Sequence, residues 1–298
     1  VPTHRIRARP PRGAARAPAG LFSPGEVASY LQDAARTPGG HAPAVLFPRT
    51  EAEVAQVLAS SRAVLPIGAQ SSLTGGATPF GETVLSLARM DAIVAVGEDR
   101  ARVQAGVALL TLEEDLRRRR LFYPPVSTFK GALLGGTVST NAAGASTFKY
   151  GSTRDWVRAL TVVLASGDVL DLERGECRAH PAGYFEVVLT SGETRRVAIP
   201  TYVMPGVRKR SAGYHAEPGM DLVDLFIGSE GTLGVVTDAE LRLVPMRPRL
   251  LGLAFFPREA DALGVTGVLR EASEATWSSG DPAGIDVAAI ESMDRRCL

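Results

Sequence analysis

Pro66-Ile-Gly-Ala-Gln-Ser-Ser-Leu-Thr-Gly-Gly-Ala-Thr-Pro79 is the stretch on which the reading of this chain turns. Val64-Leu-Pro-Ile67 ends a short apolar strand, and Gly68 to Gly76 then present successive backbone amides and hydroxyls with almost no side-chain bulk. Such a run forms a nest for an anion. It lacks a Gly-Lys-Ser/Thr ending, which excludes a nucleotide triphosphatase loop. No Gly-x-Gly-x-x-Gly turn opens a helix anywhere in the chain, which excludes a Rossmann site. A tight surface turn is the plain alternative for this loop taken alone.

Two further glycine-rich segments follow in order. Gly131-Ala-Leu-Leu-Gly-Gly-Thr-Val-Ser-Thr-Asn-Ala-Ala-Gly144 continues to Lys149-Tyr-Gly-Ser-Thr-Arg-Asp-Trp-Val157. After it come the apolar run Ala159–Ala165, the turn Ser166-Gly-Asp168 and a strand expected to start at Val169. A small-residue helix start packed closely on a neighbour is the alternative for residues 135–144. Phe226-Ile-Gly-Ser-Glu-Gly-Thr-Leu-Gly-Val-Val236 sets Glu230 between two glycine-containing turns and leads into a strand ending at Leu243-Val-Pro245. An ordinary turn carboxylate is the alternative for Glu230.

In this order and at these separations, the three motifs resemble the FAD-linked oxidoreductases of the vanillyl-alcohol oxidase and p-cresol methylhydroxylase superfamily. The nearest branch is the D-lactate dehydrogenase and glycolate oxidase flavoproteins, and the similarity spans residues 43–245. The resemblance implies an α+β fold with a two-subdomain FAD-binding domain over 43–245. A leader and helix at 1–42 would precede it, and the first part of a ferredoxin-like cap at 246–298 would follow. FAD contacts are implied for Ile67, Gly68, Ala69, Gln70, Ser71, Ser72, Leu73, Thr74 and Gly75 in the first motif and for Pro124, Ser127 and Thr128 ahead of the second. In the second motif they are implied for Gly135, Gly136, Ser139, Thr140, Asn141, Gly144, Tyr150 and Gly151, and in the third for Glu230, Gly231, Gly234, Val235 and Val236.

Gly75 and Gly135 are expected where backbone approaches the cofactor too closely for a β-carbon. The three loops hold neither histidine nor cysteine, so FAD is expected to bind noncovalently. The activity implied is oxidation of a small D-2-hydroxy acid of the D-lactate or glycolate type, with the flavin carrying the electron chemistry. No catalytic base is identified within residues 1–298, and neither is the electron acceptor. Relatives place their active-site histidines and any metal site later in the cap, so that part is expected beyond Leu298. Two alternatives stand beside this. One is a nicotinamide-linked reductase of the same fold, with Tyr150 or Ser229 as proton donor. The other is an FAD-binding fragment or subunit without independent activity.

Tyr202–Tyr214 matches the family at Lys209, Gly213 and Tyr214, but Arg210 stands where asparagine is usual. A solvated linker with Tyr214 packed into the core is expected there.

Composition sets the outer limits. The 298 residues are 45% hydrophobic, enough for a large core, and the net charge of +1 gives no strong electrostatic partner. Arg117-Arg-Arg-Arg120 follows Leu110–Leu116 as the basic end of an amphipathic helix. It has no aromatic platform for nucleic acid, so no nucleic-acid partner is expected. Cys177 and Cys297 are too few for a disulfide framework and fit a reducing, cytoplasmic setting. His4, His41, His180 and His215 are scattered, so no metal site is expected. No apolar run approaches the ~20 residues that cross a bilayer.

Local signals complete the reading. Val1–Phe22 is arginine-rich, acid-free and broken by prolines, which reads as a disordered leader, with structure starting at Ser23-Pro-Gly-Glu26. Thr50 caps a helix with Glu53 at its third position. With the strands Ala44–Pro48, Val64–Ile67 and Thr83–Leu87 it makes a small βαβ-type unit. Hairpins are expected about Gly97–Arg100 and Thr190–Glu193, and a larger α+β subdomain beyond Leu121. Leu250–Phe256, Arg258–Ala275 and Ile285–Asp294 read as strand, helix and strand.

Overall fold

The computed structural model describes residues 3–125, 127–207, 209–294 and 296. After β1 (Arg5–Arg7) come β2 (Ala19–Leu21), the short α1 (Pro24–Val27), β3 (Val45–Phe47), α2 (Glu51–Ser60), β4 (Val64–Ile67) and β5 (Thr83–Ser86). β2, β3, β5 and β4 form one sheet in that order, with β3 and β4 parallel to β5. Helix starts follow the sequence closely. The Thr50 hydroxyl accepts from the Glu53 amide at 3.2 Å, while the Glu53 carboxylate reaches one residue further out, to the Arg49 amide at 2.7 Å. At α1 the Glu26 carboxylate accepts from the Ser23 amide at 3.2 Å.

The second sheet is antiparallel. β6 (Ile93–Val96) and β7 (Arg100–Gln104) form the hairpin about Gly97, and α3 (Leu109–Arg118) buries Leu109, Leu112 and Leu116 while ending in arginines. β8 (Leu121–Phe122), α4 (Leu134–Ser139) and α5 (Thr147–Tyr150) lead to β9 (Val157–Val163) and β10 (Val169–Glu173). Then come the hairpin β11 (Tyr184–Val188) and β12 (Thr194–Ala198), α6 (Leu222–Phe226), β13 (Val235–Arg242), β14 (Val244–Pro245) and α7 (Glu259–Ser279). The large sheet runs β10-β9-β13-β7-β6. The 92–105 hairpin therefore belongs to it through the β7–β13 ladder, and not to the first βαβ unit. The main core lies against this sheet under α3, α4 and α6. Among the described residues no helix is long and apolar enough to cross a membrane.

Two expectations fail at the ends. The N-terminus is not a disordered leader, because its arginines find acids supplied by distant elements. β1 lies parallel to β11, where the Arg5 guanidinium donates to Glu186 at 2.8 Å. Arg9 donates to Glu51 at 2.6 Å and to Asp171 at 2.5 Å, and the Ala52 amide donates to the Arg12 carbonyl at 3.1 Å. β2 then joins β3. Residues 3–21 thus lace α2 and the small sheet to β10 and β11.

At the other end α7 forms as a helix, but residues 250–256 and 285–294 contain no strand among the described residues. Leu250 is 97% exposed and Leu251 96%. A strand requires a partner ladder for its amides and carbonyls, and none lies beside these runs.

Candidate functional site

The three glycine-rich motifs converge between the two sheets. Gly68, just past β4, faces Gly136 in α4, and a β-carbon built on Gly68 would stand 3.6 Å from the Gly136 Cα. Backbone hydrogen bonds fasten the third motif to the second, the Glu230 amide donating to Ser139 O at 2.8 Å and the Gly228 amide to Val138 O at 3.1 Å. It also reaches the first motif. A β-carbon on Gly231 would lie 2.6 Å from Pro66 Cγ, and one on Gly76 3.4 Å from a Glu230 carboxylate oxygen. Glu230 holds a left-handed backbone, φ +53°, between Gly228 and Gly231, which are also left-handed. Such strain at a non-glycine residue persists only where the surroundings fix it.

The first loop is held from behind. The Gln70 side-chain amide donates to Tyr30 O at 2.9 Å and Ala77 O at 2.8 Å, and buried Asp33 accepts from the amides of Ala35 at 3.1 Å and Ala77 at 3.2 Å. With its shape fixed this way, none of the backbone amides from Ala69 to Leu73 has an acceptor among the described residues. The Ser72 and Thr74 hydroxyls lie 2.9 Å apart on its exposed side. At Gly136 an added β-carbon would stand 3.9 Å from the Gly68 Cα, ordinary van der Waals contact, so the pair of glycines lets the two loops approach closely. Free donors above a glycine floor fit a phosphate-bearing cofactor.

The residues singled out in sequence divide into two groups. Gly68 to Gly76, Gly136, Ser139, Glu230 and Gly231 come together at this cleft. Ile67, Val235 and Val236 point their side chains into the cores, so only their backbone is free to serve a ligand. The Asn141 side chain is occupied as well, donating to Arg210 O at 3.0 Å and accepting from the Arg154 amide at 2.9 Å. Thr140 returns its hydroxyl to Gly136 O at 2.9 Å. Gly144 accepts from the Thr147 amide at 3.0 Å, and Gly151, at φ +75°, stands against the Asp155 carboxylate. Tyr150 packs between Phe122 and Trp156, and Pro124 follows two residues after Phe122 as a buried residue. Ser127 and Thr128 make no hydrogen bond to the three motifs among the described residues.

Gly75 and Gly135 need correction. The obstacle to a β-carbon is protein in both cases: Thr37 Oγ1 at 2.7 Å for Gly75, and Ala105 just after β7, with Cβ at 2.7 Å and carbonyl oxygen at 3.2 Å, for Gly135. Gly135 therefore serves the close packing of α4 on the large sheet. Gly234 serves the same end against Val162 Cγ1 at 2.7 Å. Tyr214 does pack against the main core as expected, its hydroxyl 2.7 Å from Thr232 Oγ1.

No local pattern in the sequence pointed to the ion pairs behind the cleft. Arg154 donates to the Asp224 carboxylate at 3.0 Å and to Ile227 O, and Arg174 binds both Asp224 oxygens at 2.9 and 3.0 Å. Burial pushes the Asp224 carboxyl up, but Arg174 and Arg154 outweigh it and hold the group below its ordinary range. Arg154 lies within the second motif, yet its partner sits 70 residues away, and Asp33 carries no local signature at all.

Comparison with known proteins agrees with this geometry. Residues 42–173 match the family described as "FAD binding domain". D-lactate dehydrogenase of Anaerostipes hadrus is 36% identical over 193 residues, 64% of this chain and 33% of that protein. Glycolate oxidase subunit GlcD of Bacillus subtilis is 34% identical over 210 residues, 68% of this chain and 37% of its own length. Mitochondrial D-2-hydroxyglutarate dehydrogenase of Bos taurus is 33% identical over 286 residues, 93% of this chain and 44% of that protein. The chain thus spans between a third and under a half of these relatives. Among solved structures, an alkyldihydroxyacetonephosphate synthase superposes with a TM-score of 0.55 over 80% of this chain and 43% of its own, at 20% identity, which establishes the shared fold. The chain belongs to the FAD-linked flavoproteins of the vanillyl-alcohol oxidase and p-cresol methylhydroxylase type, with FAD as its cofactor.

Proposed function

We propose that this chain is the FAD-binding part of an oxidoreductase that acts on a D-2-hydroxy acid and holds its flavin noncovalently. The observation that carries the reading is the meeting of Gly68, Gly136 and the Glu230 turn around a loop with free amides. The amides of Ala69–Leu73 and the hydroxyls of Ser71, Ser72 and Thr74 would hold the pyrophosphate. Ser139 and Gly136 would line the cofactor's middle, and the Tyr150 wall would flank its ring. FAD when bound supplies the acceptor for the substrate's electrons. The chain's own residues fix the loops, exclude bulk at Gly136 and order Glu230 over Gly76. FAD is favoured over FMN because five successive free amides suit two linked phosphates better than one.

The hydroxy-acid class draws its support from the printed activities of the three relatives. Residues 246–294 would open a second domain, fastened to the second motif where Phe148 meets Trp277 with ring centroids 5.0 Å apart and Lys149 donates to Asp286 at 2.6 Å. The reading also expects a reducing, cytoplasmic compartment, since the chain carries two cysteines and Cys177 is a buried free thiol. A second reading is an FAD-binding unit without turnover of its own, and the described cleft fits it equally, since its residues are ones suited to holding the cofactor.

Anaerobic mixing of the FAD-loaded protein with D-lactate, glycolate and D-2-hydroxyglutarate separates the two. Flavin bleaching by any of them supports the oxidoreductase. Bound flavin that stays yellow with all three removes the hydroxy-acid assignment for this chain and leaves the binding unit.

A further inference from the structure

Behind the flavin cleft lies a second concavity that the proposed function does not use. Its volume is about 470 Å³, within the range of small-molecule sites. Arg154 and Asp155 from the turn before β9, Arg174 after β10, Asp224 of α6, Arg242 at the end of β13, and Arg210, His215 and Glu217 from the 202–217 linker line it. Asn141 is the only one of the candidate FAD contacts in this wall, and its amide is already bonded to Arg154 and Arg210 backbone. The two concavities are therefore separate.

Charge in the cavity does not balance. Four guanidiniums face three carboxylates. Asp224 is shared by two of them, Arg154 and Arg174, and Glu217 pairs with Arg210. Asp155 is turned aside to accept from the Ser152 amide at 2.8 Å. The Arg242 guanidinium, at the exposed end of β13, has no hydrogen-bond or ion-pair partner among the described residues. His215 does not add to the surplus at neutral pH, since burial first and the Arg154 charge second lower its pKa. A partly enclosed wall with a net positive charge concentrates small anions, and the guanidinium fork matches carboxylate and phosphate oxygens in pairs.

We propose that this cavity binds a small oxyanion-bearing metabolite, a dicarboxylate or a phosphate ester, between Arg242 and Arg210 at the mouth and the Arg154–Asp224–Arg174 cluster at the floor. The site stands on its own geometry and is independent of the hydroxy-acid reading.

Calorimetric titration of the full chain tests it, with malonate and inorganic phosphate as probes, sodium chloride at matched ionic strength as control, and each run with and without excess FAD. Saturable binding of at least one probe is expected, weakened roughly tenfold or more in Arg242→Glu, with circular dichroism unchanged. Tighter malonate identifies a carboxylate ligand, and tighter phosphate a phosphate ester. Arg242→Gln replaces the glutamate variant if the latter does not fold. Because Arg242 lies outside the glycine-rich loops, dependence on it distinguishes this cavity from the flavin nest whether or not FAD is bound. A response equalled by chloride, or undiminished in the Arg242 variant, overturns the proposal.

Discussion

Val157-Arg-Ala-Leu-Thr-Val-Val163 and Leu250-Leu-Gly-Leu-Ala-Phe-Phe256 are both short apolar runs, and only the first is a strand. β9 has β10 on one side and β13 on the other, and Val157, Val162 and Val163 are completely buried. The second run has no ladder, and Leu253 and Phe255 remain 70% and 83% exposed. Apolar patterning supplies the face of a strand. The strand itself forms only where a neighbour accepts its backbone hydrogen bonds. The flavin cleft sits on the side of the molecule where those neighbours exist, so its loops can be held to fixed shapes.

Breaking the paired region should cost most. Leu160→Asp in β9 would bury an uncompensated carboxylate, and the loss is expected to exceed ~4 kcal/mol, with unfolding seen by circular dichroism. A folded, FAD-binding variant would contradict the burial of this strand. Next comes Gly135→Val, which drives a side chain into Ala105 and should cost about 1–3 kcal/mol in chemical denaturation. An unchanged midpoint would mean that α4 can lift from β7.

Arg9→Ala follows, with an expected loss of about 1–2 kcal/mol after allowing for partial exposure of its partners. Its pH dependence gives a second check. Burial raises the carboxyl pKa of Glu51 and Asp171, but the hydrogen bonds from Arg9 outweigh it and hold both below their ordinary values. Their contribution is therefore complete above the unfolded pKa values of about 4 and is lost as pH falls through that range toward the folded values. The variant should show a flatter acid limb than the parent, and equal limbs would show that the strap carries no such linkage. The smallest effect belongs to the unpaired run. Leu251→Ser should change the midpoint by no more than about 0.5 kcal/mol, and a larger loss would reveal a partner for residues 250–256.

Legibility followed the range of the interactions. Thr50 with Glu53, the Ser166-Gly-Asp168 turn and the Gly97 hairpin are local signals, and each element formed where its residues indicated. The N-terminal strap was hidden because Arg5 meets Glu186 across 181 residues and Arg9 meets Asp171 across 162, so an excess of arginine looked like a free leader. The composition of the cleft was legible in its glycines and hydroxyls. The direction of individual side chains was not. Gln70 and Asn141 look like ligand donors in sequence, and each turns instead to nearby protein carbonyls. How tightly a glycine is packed was equally hidden, since a β-carbon would lie 2.7 Å from Ala105 at Gly135 and no closer than 3.9 Å to Gly68 at its neighbour Gly136.

That last pair supplies the most direct measurement of the central claim, which is that the three motifs form one FAD cleft. FAD is titrated into the purified chain and into Gly136→Val, with bound flavin followed through gel filtration and both proteins checked by circular dichroism and acid precipitation. The account predicts about one FAD per parent chain, released into the supernatant by acid. It predicts little or no retention in Gly136→Val, with the fold kept by circular dichroism, because the added side chain would intrude on the glycine floor beside Gly68. Full FAD occupancy in the folded variant, or flavin left attached to the acid-denatured parent, would contradict it.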